Sequence, residues 1–277
     1  MSTLGIALYR WKNLAATAAV SLAISTIVRA ETVGLFFDPA VEQIKFAAGD
    51  VKAALEKNKF TVEMLQVSAL NVSYANKKVV VALASNTTAS AVLAAQGGSE
   101  VAGLGEQAYG LRTTETPHKS YWVLGGDVNG KMYGGLQIAE NIRFKQFTGN
   151  YNNGESPAIL KRGIKFYLPL DKKSATYETS SKLGDSAEQA IPHVWDIAFW
   201  TEWFDTMARN RYNVVSVWNN HPFTSMIKMA DYPDVAIQNV TGYDGYSKEL
   251  SIDEKIMFWQ KVMAYAHSRS SRAKRIY

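Results

Sequence analysis

A chain of 277 residues with 47% hydrophobic and 12% aromatic content has enough apolar material to bury a core, which excludes a disordered polypeptide. Its length suits about two domains. The formal charge of +5 hints at nucleic acid, yet Arg10, Lys12 and Arg29 lie near one terminus and Arg269, Arg272, Lys274 and Arg275 near the other. The middle is close to neutral and carries no basic stripe interleaved with stacking aromatics, so no nucleic acid partner is expected. The absence of cysteine excludes thiolate metal sites and a cysteine nucleophile.

Residues 1–30 read as a secretory signal. Arg10 and Lys12 form the basic region, 14–28 is apolar and uncharged, and Val28-Arg29-Ala30 leaves small residues at the cleavage positions. An apolar run of about 15 residues falls short of the roughly 20 that span a bilayer. The expectation is export to the periplasm or beyond, with no stable membrane insertion after cleavage.

A small α/β domain is expected over 31–148. Residues 32–37 read as a strand, and Asp38-Pro39 as a cap with proline at the first helical position. Val41, Ile44, Ala48, Val51 and Leu55 form a helical stripe. Strands follow at 60–65 and 78–83, then a short helix from about 88 to 96 that stops on Gly97-Gly98. Two more strands, 109–114 and 121–124, precede a helix over 130–144. The polar, glycine-bearing stretch 149–160, with Pro157, reads as a linker.

The second part, 161–277, has a different rhythm. A strand is expected at 162–169, ending in Asp171-Lys172-Lys173, and 174–194 is loop-like. Ile197, Trp200, Phe204, Met207 and Arg211 then recur at helical spacing, and Asn213 is a plausible helix stop. Residues 214–218 form a short buried strand. Ser251-Ile252-Asp253-Glu254 is a capping box for a helix carrying Ile256, Trp259, Met263 and Ala266. The next element should be a buried strand, but 268–277 is basic and without an apolar run. Two parallel strands cannot cover themselves. The expectation is an incomplete copy of something longer, with a sheet edge open to self-association.

The polar groups that follow the second strand are the candidate site. Asn219, Asn220 and His221 offer amides and an imidazole for sugar hydroxyls, and Trp218 offers a ring face. Asp171, past the preceding strand, is a candidate for the same mouth. The alternative is a hydrogen-bonded turn. No catalytic pair of carboxylates stands out among Glu202, Asp205, Asp231 and Asp234, and no cofactor or metal is implied. Gly125 to Lys131 matches P-loop spacing, but Met132 stands where a magnesium-binding hydroxyl is needed. A glycine-rich turn packing a helix onto a sheet is the preferred reading, with nucleotide binding as the alternative.

Tyr121-Trp122-Val123-Leu124-Gly125-Gly126-Asp127, with Gly130-Lys131-Met132-Tyr133-Gly134-Gly135-Leu136 and Ala139-Glu140, resembles the small domain preceding the catalytic barrel in β-hexosaminidase-like and α-glucuronidase-like glycoside hydrolases. Arg162-Gly163-Ile164, Ala208 to Asn213 and Trp218 to Phe223 look like the barrel start of exported α-glucuronidase-like proteins. The resemblance implies an α/β fold: a small hexosaminidase-like domain, then the first βα units of an incomplete (β/α)8 barrel. It also implies a carbohydrate partner, an oligo- or polysaccharide. The acids lie on later strands in that family, so this chain alone is expected to be inactive. A non-catalytic carbohydrate-binding or adaptor module is the alternative.

Overall fold

The computed structural model describes residues 30–145, 147–174, 189–219, 222–269 and 272–274. The signal-like segment therefore lies outside the described residues.

The first part is built on a six-stranded sheet. Its strands are β1 (Thr32–Phe37), β2 (Thr61–Gln66), β3 (Lys77–Leu83), β4 (Tyr109–Thr114), β5 (Ser120–Gly125) and β6 (Asn152–Glu155). They lie in the order β2-β1-β3-β5-β4-β6. The first four in that order are parallel, and β4 runs antiparallel to both β5 and β6. Period-two alternation sends neighbouring residues to opposite faces. Val33, Leu35, Phe37, Val79, Val81 and Val123 meet α1 (Glu42–Lys57) and α3 (Val128–Lys145). Phe36, Val80, Ala82, Trp122 and Leu124 meet α2 (Thr87–Ala95) on the other side. Asn86 caps α2 by accepting from the backbone N–H of Ala89 at 2.8 Å.

Part of the expected linker is β6. Its four residues are all exposed, so no hydrophobic alternation marks it. Backbone pairing with β4, Tyr109 opposite Glu155 and Arg112 opposite Asn152, is what makes it a strand.

The second part has three parallel strands in the order β11-β8-β7: β7 (Gly163–Tyr167), β8 (Val214–Trp218) and β11 (Arg272–Lys274). Two-residue strands β9 (Val240–Thr241) and β10 (Ser247–Lys248) form a separate ribbon. The helices are α4 (Ile191–Val194), α5 (Ile197–Arg209), α6 (Phe223–Met226) and α7 (Ile252–His267). Val215 and Val217 pack into a cluster with Trp200 and Phe204 of α5 and Trp259 and Val262 of α7. Trp195, which closes α4, and Trp200 of α5 are fully buried. The capping box at Ser251 and Glu254 is present in full.

Two expectations change here. A third strand exists where the sequence offers no apolar run, because register alone pairs Arg272 with Val214. The stop of α5 is not Asn213. The helix runs to Arg209 with Asn210 as its C-cap, and Arg211 takes the left-handed turn at φ 64°. Asn213 is instead buried in the joint between the parts: its Oδ1 accepts from Arg162 N at 2.9 Å, and its Nδ2 donates to Gln107 Oε1 at 2.9 Å and Leu160 O at 2.8 Å.

Residues 31–277 make one compact unit. Asp50 of α1, nearly buried, receives both Nε and Nη2 of Arg209 from α5, at 2.9 and 3.0 Å, and Arg143 of α3 at 3.3 Å. Arg269 donates to Asp205 at 2.7 Å while its guanidinium lies 4.4 Å from the Phe46 ring. That pair explains Asp205: a mid-helix brace.

Candidate functional site

The helices α5 and α7 cover one face of the three-stranded sheet, so alternation leaves the other face to Gly163, Lys165 and Tyr167 of β7 and Val214, Ser216 and Trp218 of β8. Register places Tyr167 directly opposite Trp218 at the C-terminal ends of the strands. Their rings meet edge to face with centroids 5.5 Å apart, a favoured aromatic geometry. Lys165 Nζ lies 5.5 Å from the Tyr167 centroid and 5.3 Å from that of Trp218. Tyr167 is 42% exposed, high for an aromatic ring on a sheet, and Trp218 is half-buried. The arrangement is an aromatic wall with a cation against it, suited to pack on a pyranose ring and to donate hydrogen bonds.

The sequence-derived candidates divide. Trp218 belongs to this wall. Asn219 is buried at 3% exposure and donates from Nδ2 to Leu168 O at 2.6 Å, so it ties the end of β8 to the chain leaving β7. Asp171 is 1% exposed. Its Oδ2 accepts from Thr241 N at 2.6 Å and its Oδ1 from Lys173 N at 2.7 Å, with the Thr241 hydroxyl shared between them. Asp171 therefore braces β9 against the loop after β7. Asn220 and His221 lie outside the described residues.

Lys165 and Tyr167 escaped the sequence reading. Their signal was alternation within Gly163-Ile164-Lys165-Phe166-Tyr167, which puts both on one face once β7 is known to pair with β8. Beneath the strand ends, Lys255 is fully buried and donates to Ile237 O at 2.9 Å. Desolvation lowers its pKa, which nearby Asp171 partly offsets. A larger concavity of about 650 Å³, between Phe223 and Met226 of α6 and Ile256, Trp259 and Met263 of α7, is almost wholly apolar. It offers little to orient a sugar.

The glycine-rich turn does not cradle a phosphate. A side chain on Gly130 would strike the Ala108 carbonyl, and one on Gly126 would come within 2.6 Å of Gly105 O. The loop containing these carbonyls covers the turn. Asp127 caps α3 through Gly130 N at 2.7 Å and also accepts from Gln107 N at 3.0 Å, placing a carboxylate where a nucleotide would need anion-binding amides. The glycines serve close packing, and Lys131 is 5% exposed, its pKa lowered by burial.

No family model matches the chain, and no curated protein matches it significantly. Among solved structures, it is similar to a GH138 enzyme targeting pectin rhamnogalacturonan II, with TM-score 0.60 and 19% identity over 87% of this chain and 30% of that one. The fold is glycoside-hydrolase-like. A family 20 glycoside hydrolase, a β-N-acetylglucosaminidase, also matches with TM-score 0.45 and 14% identity, over 83% of this chain and 36% of that one. The chain thus spans about a third of the length of the solved structures it matches. No described helix is long and apolar enough to cross a membrane.

Proposed function

We propose that this chain is the opening portion of an exported glycoside hydrolase that resembles the α-glucuronidase and β-hexosaminidase-like group and acts in polysaccharide degradation. The small domain is an accessory unit, and β7, β8 and β11 with their helices are the first βα units of a (β/α)8 barrel. Support comes from the sequential parallel order of those strands, with α5 and α7 packed on one face. The basic-then-apolar pattern of residues 1–30 supports export.

The observation that carries the reading is the Tyr167–Trp218 pair with Lys165, on the uncovered face at the strand ends of a glycoside-hydrolase-like fold. In this proposal the wall binds sugar, and the catalytic acids come from residues beyond this sequence. The face residues of β7 and β8 include no Asp or Glu, which favours as a second reading a carbohydrate-binding module without turnover.

The test is titration of the purified chain with glucuronoxylan and pectic oligosaccharides, alongside an assay for released reducing sugar. Binding without release is expected, and Trp218→Ala should weaken it about tenfold, the scale of one lost aromatic contact. Sugar release that is lost when this chain's carboxylates are replaced would refute the inactive-portion reading. Absence of binding, or binding indifferent to both Trp218→Ala and Tyr167→Ala, would refute the sugar wall.

A further inference from the structure

A second cleft, of about 430 Å³, opens between the small domain and the second part, and Tyr109, Gln137, Glu155, Arg162 and Arg211 are among its walls. Glu140 and Glu155 line it too, yet the guanidinium groups of Arg162 and Arg211 are spent on neutral acceptors. Arg162 donates to the carbonyl oxygen of Ile159, to Arg211 O at 2.7 Å and to Gln107 Oε1 at 2.8 Å. Arg211 donates to the carbonyl oxygen of Arg209 and to Gln137 Oε1 at 3.2 Å. Each of these acceptors is neutral, and neither guanidinium is ion-paired with a described carboxylate. Arg209, on the same cleft, differs: Asp50 neutralises it.

Both unpaired guanidinium groups are half-buried, where charge is screened less than in open water, and both retain further N–H donors. Arg211 also holds φ 64°, a left-handed conformation that glycine adopts freely and that costs a residue bearing a Cβ about 1–2 kcal/mol. Glu155 lines the cleft and accepts from the Tyr109 hydroxyl at 2.7 Å. Burial, followed by that bond to Glu155, pushes the Tyr109 pKa up, so the phenol stays a donor.

We propose that this cleft binds a small hydroxylated carboxylate, its carboxylate held by Arg162 and Arg211 and its hydroxyls by Glu155 and Gln137. Glu140 and Glu155 on the walls disfavour a dianion such as phosphate. The inference is independent of the sugar wall at the strand ends.

The test is calorimetric titration of the full chain with gluconate, sorbitol, acetate and inorganic phosphate. Saturable binding of gluconate is expected, with sorbitol silent for want of a charge, and acetate and phosphate weaker. Arg211→Gly should weaken gluconate by about tenfold or more, the scale of a lost charged hydrogen-bond pair. Its thermal midpoint should equal or exceed the parent's, because glycine accepts the turn, so misfolding does not explain the loss. Trp218→Ala should leave gluconate binding unchanged, which separates this site from the sugar wall. Silence with gluconate, equal binding of sorbitol, or gluconate binding that survives both Arg211→Gly and Arg162→Gln in folded protein would overturn the proposal.

Discussion

Lys78 stands near the start of β3, between Gly34 of β1 and Ser120 of β5, with no solvent exposure. Its ammonium has no hydrogen-bond partner among the described residues, and the Tyr74 ring lies 5.9 Å away. Burial lowers its pKa from the ordinary lysine value. In the unfolded chain the amine binds its proton up to about pH 10.4, whereas the folded chain gives it up sooner. Below the folded pKa the penalty is present in full. It fades as pH rises and is gone above the unfolded value, so stability from this group climbs with pH across that window. An unsatisfied buried polar group costs about 1–3 kcal/mol. Methionine has a similar shape without the charge, so Lys78→Met should stabilise the chain by about that amount near neutral pH. Urea denaturation of parent and variant from about pH 6 to about pH 10 reads both effects, and the gap should narrow towards the alkaline end. A variant no more stable than the parent, with an unchanged gap across that range, would refute the argument.

Three further outcomes follow from packing. Gly49 lies on the exposed side of α1 and a Cβ there meets nothing within 4 Å, so Gly49→Ala should raise stability by about 0.5–1 kcal/mol in the same denaturation assay. Gly130→Ala should do the reverse, by about 1–3 kcal/mol, because its Cβ runs into the backbone of Ala108; a neutral result would mean that the covering loop shifts easily. Gln107→Ala removes the shared acceptor of Arg162 and Asn213, at 2.8 and 2.9 Å. It should cost about 1–3 kcal/mol and speed proteolysis between the two parts, measured by limited digestion and peptide mapping.

Much of the small domain was legible because its elements bury one defined face. The helical stripe at Ile44, Ala48, Val51 and Leu55 and the apolar run of β3 point to their positions in the core whatever else the chain does. β6 was not legible, since its stability comes from backbone hydrogen bonds to β4, which leave no mark on side-chain pattern. β11 was missed for the same reason, being a strand by pairing with β8 and not by composition. The stop of α5 was read at Asn213, three residues past the actual C-cap Asn210, because the apolar-and-arginine spacing runs on to Arg211, whereas Arg211 already takes the left-handed turn.

The candidate site shows the same division. Sequence alone determined that polar and aromatic groups follow a buried strand, and Trp218 could be picked out from that pattern. Only the tertiary structure decided that Tyr167 and Lys165 join it, that Asn219 and Asp171 turn inward to hold backbone, and that Arg162 and Arg211 face a cleft while hydrogen-bonded to neutral acceptors. The physical reason is that periodicity assigns a residue to a face, while cross-strand register and long-range hydrogen bonds decide which other residues share that face and which polar atoms remain available to a ligand.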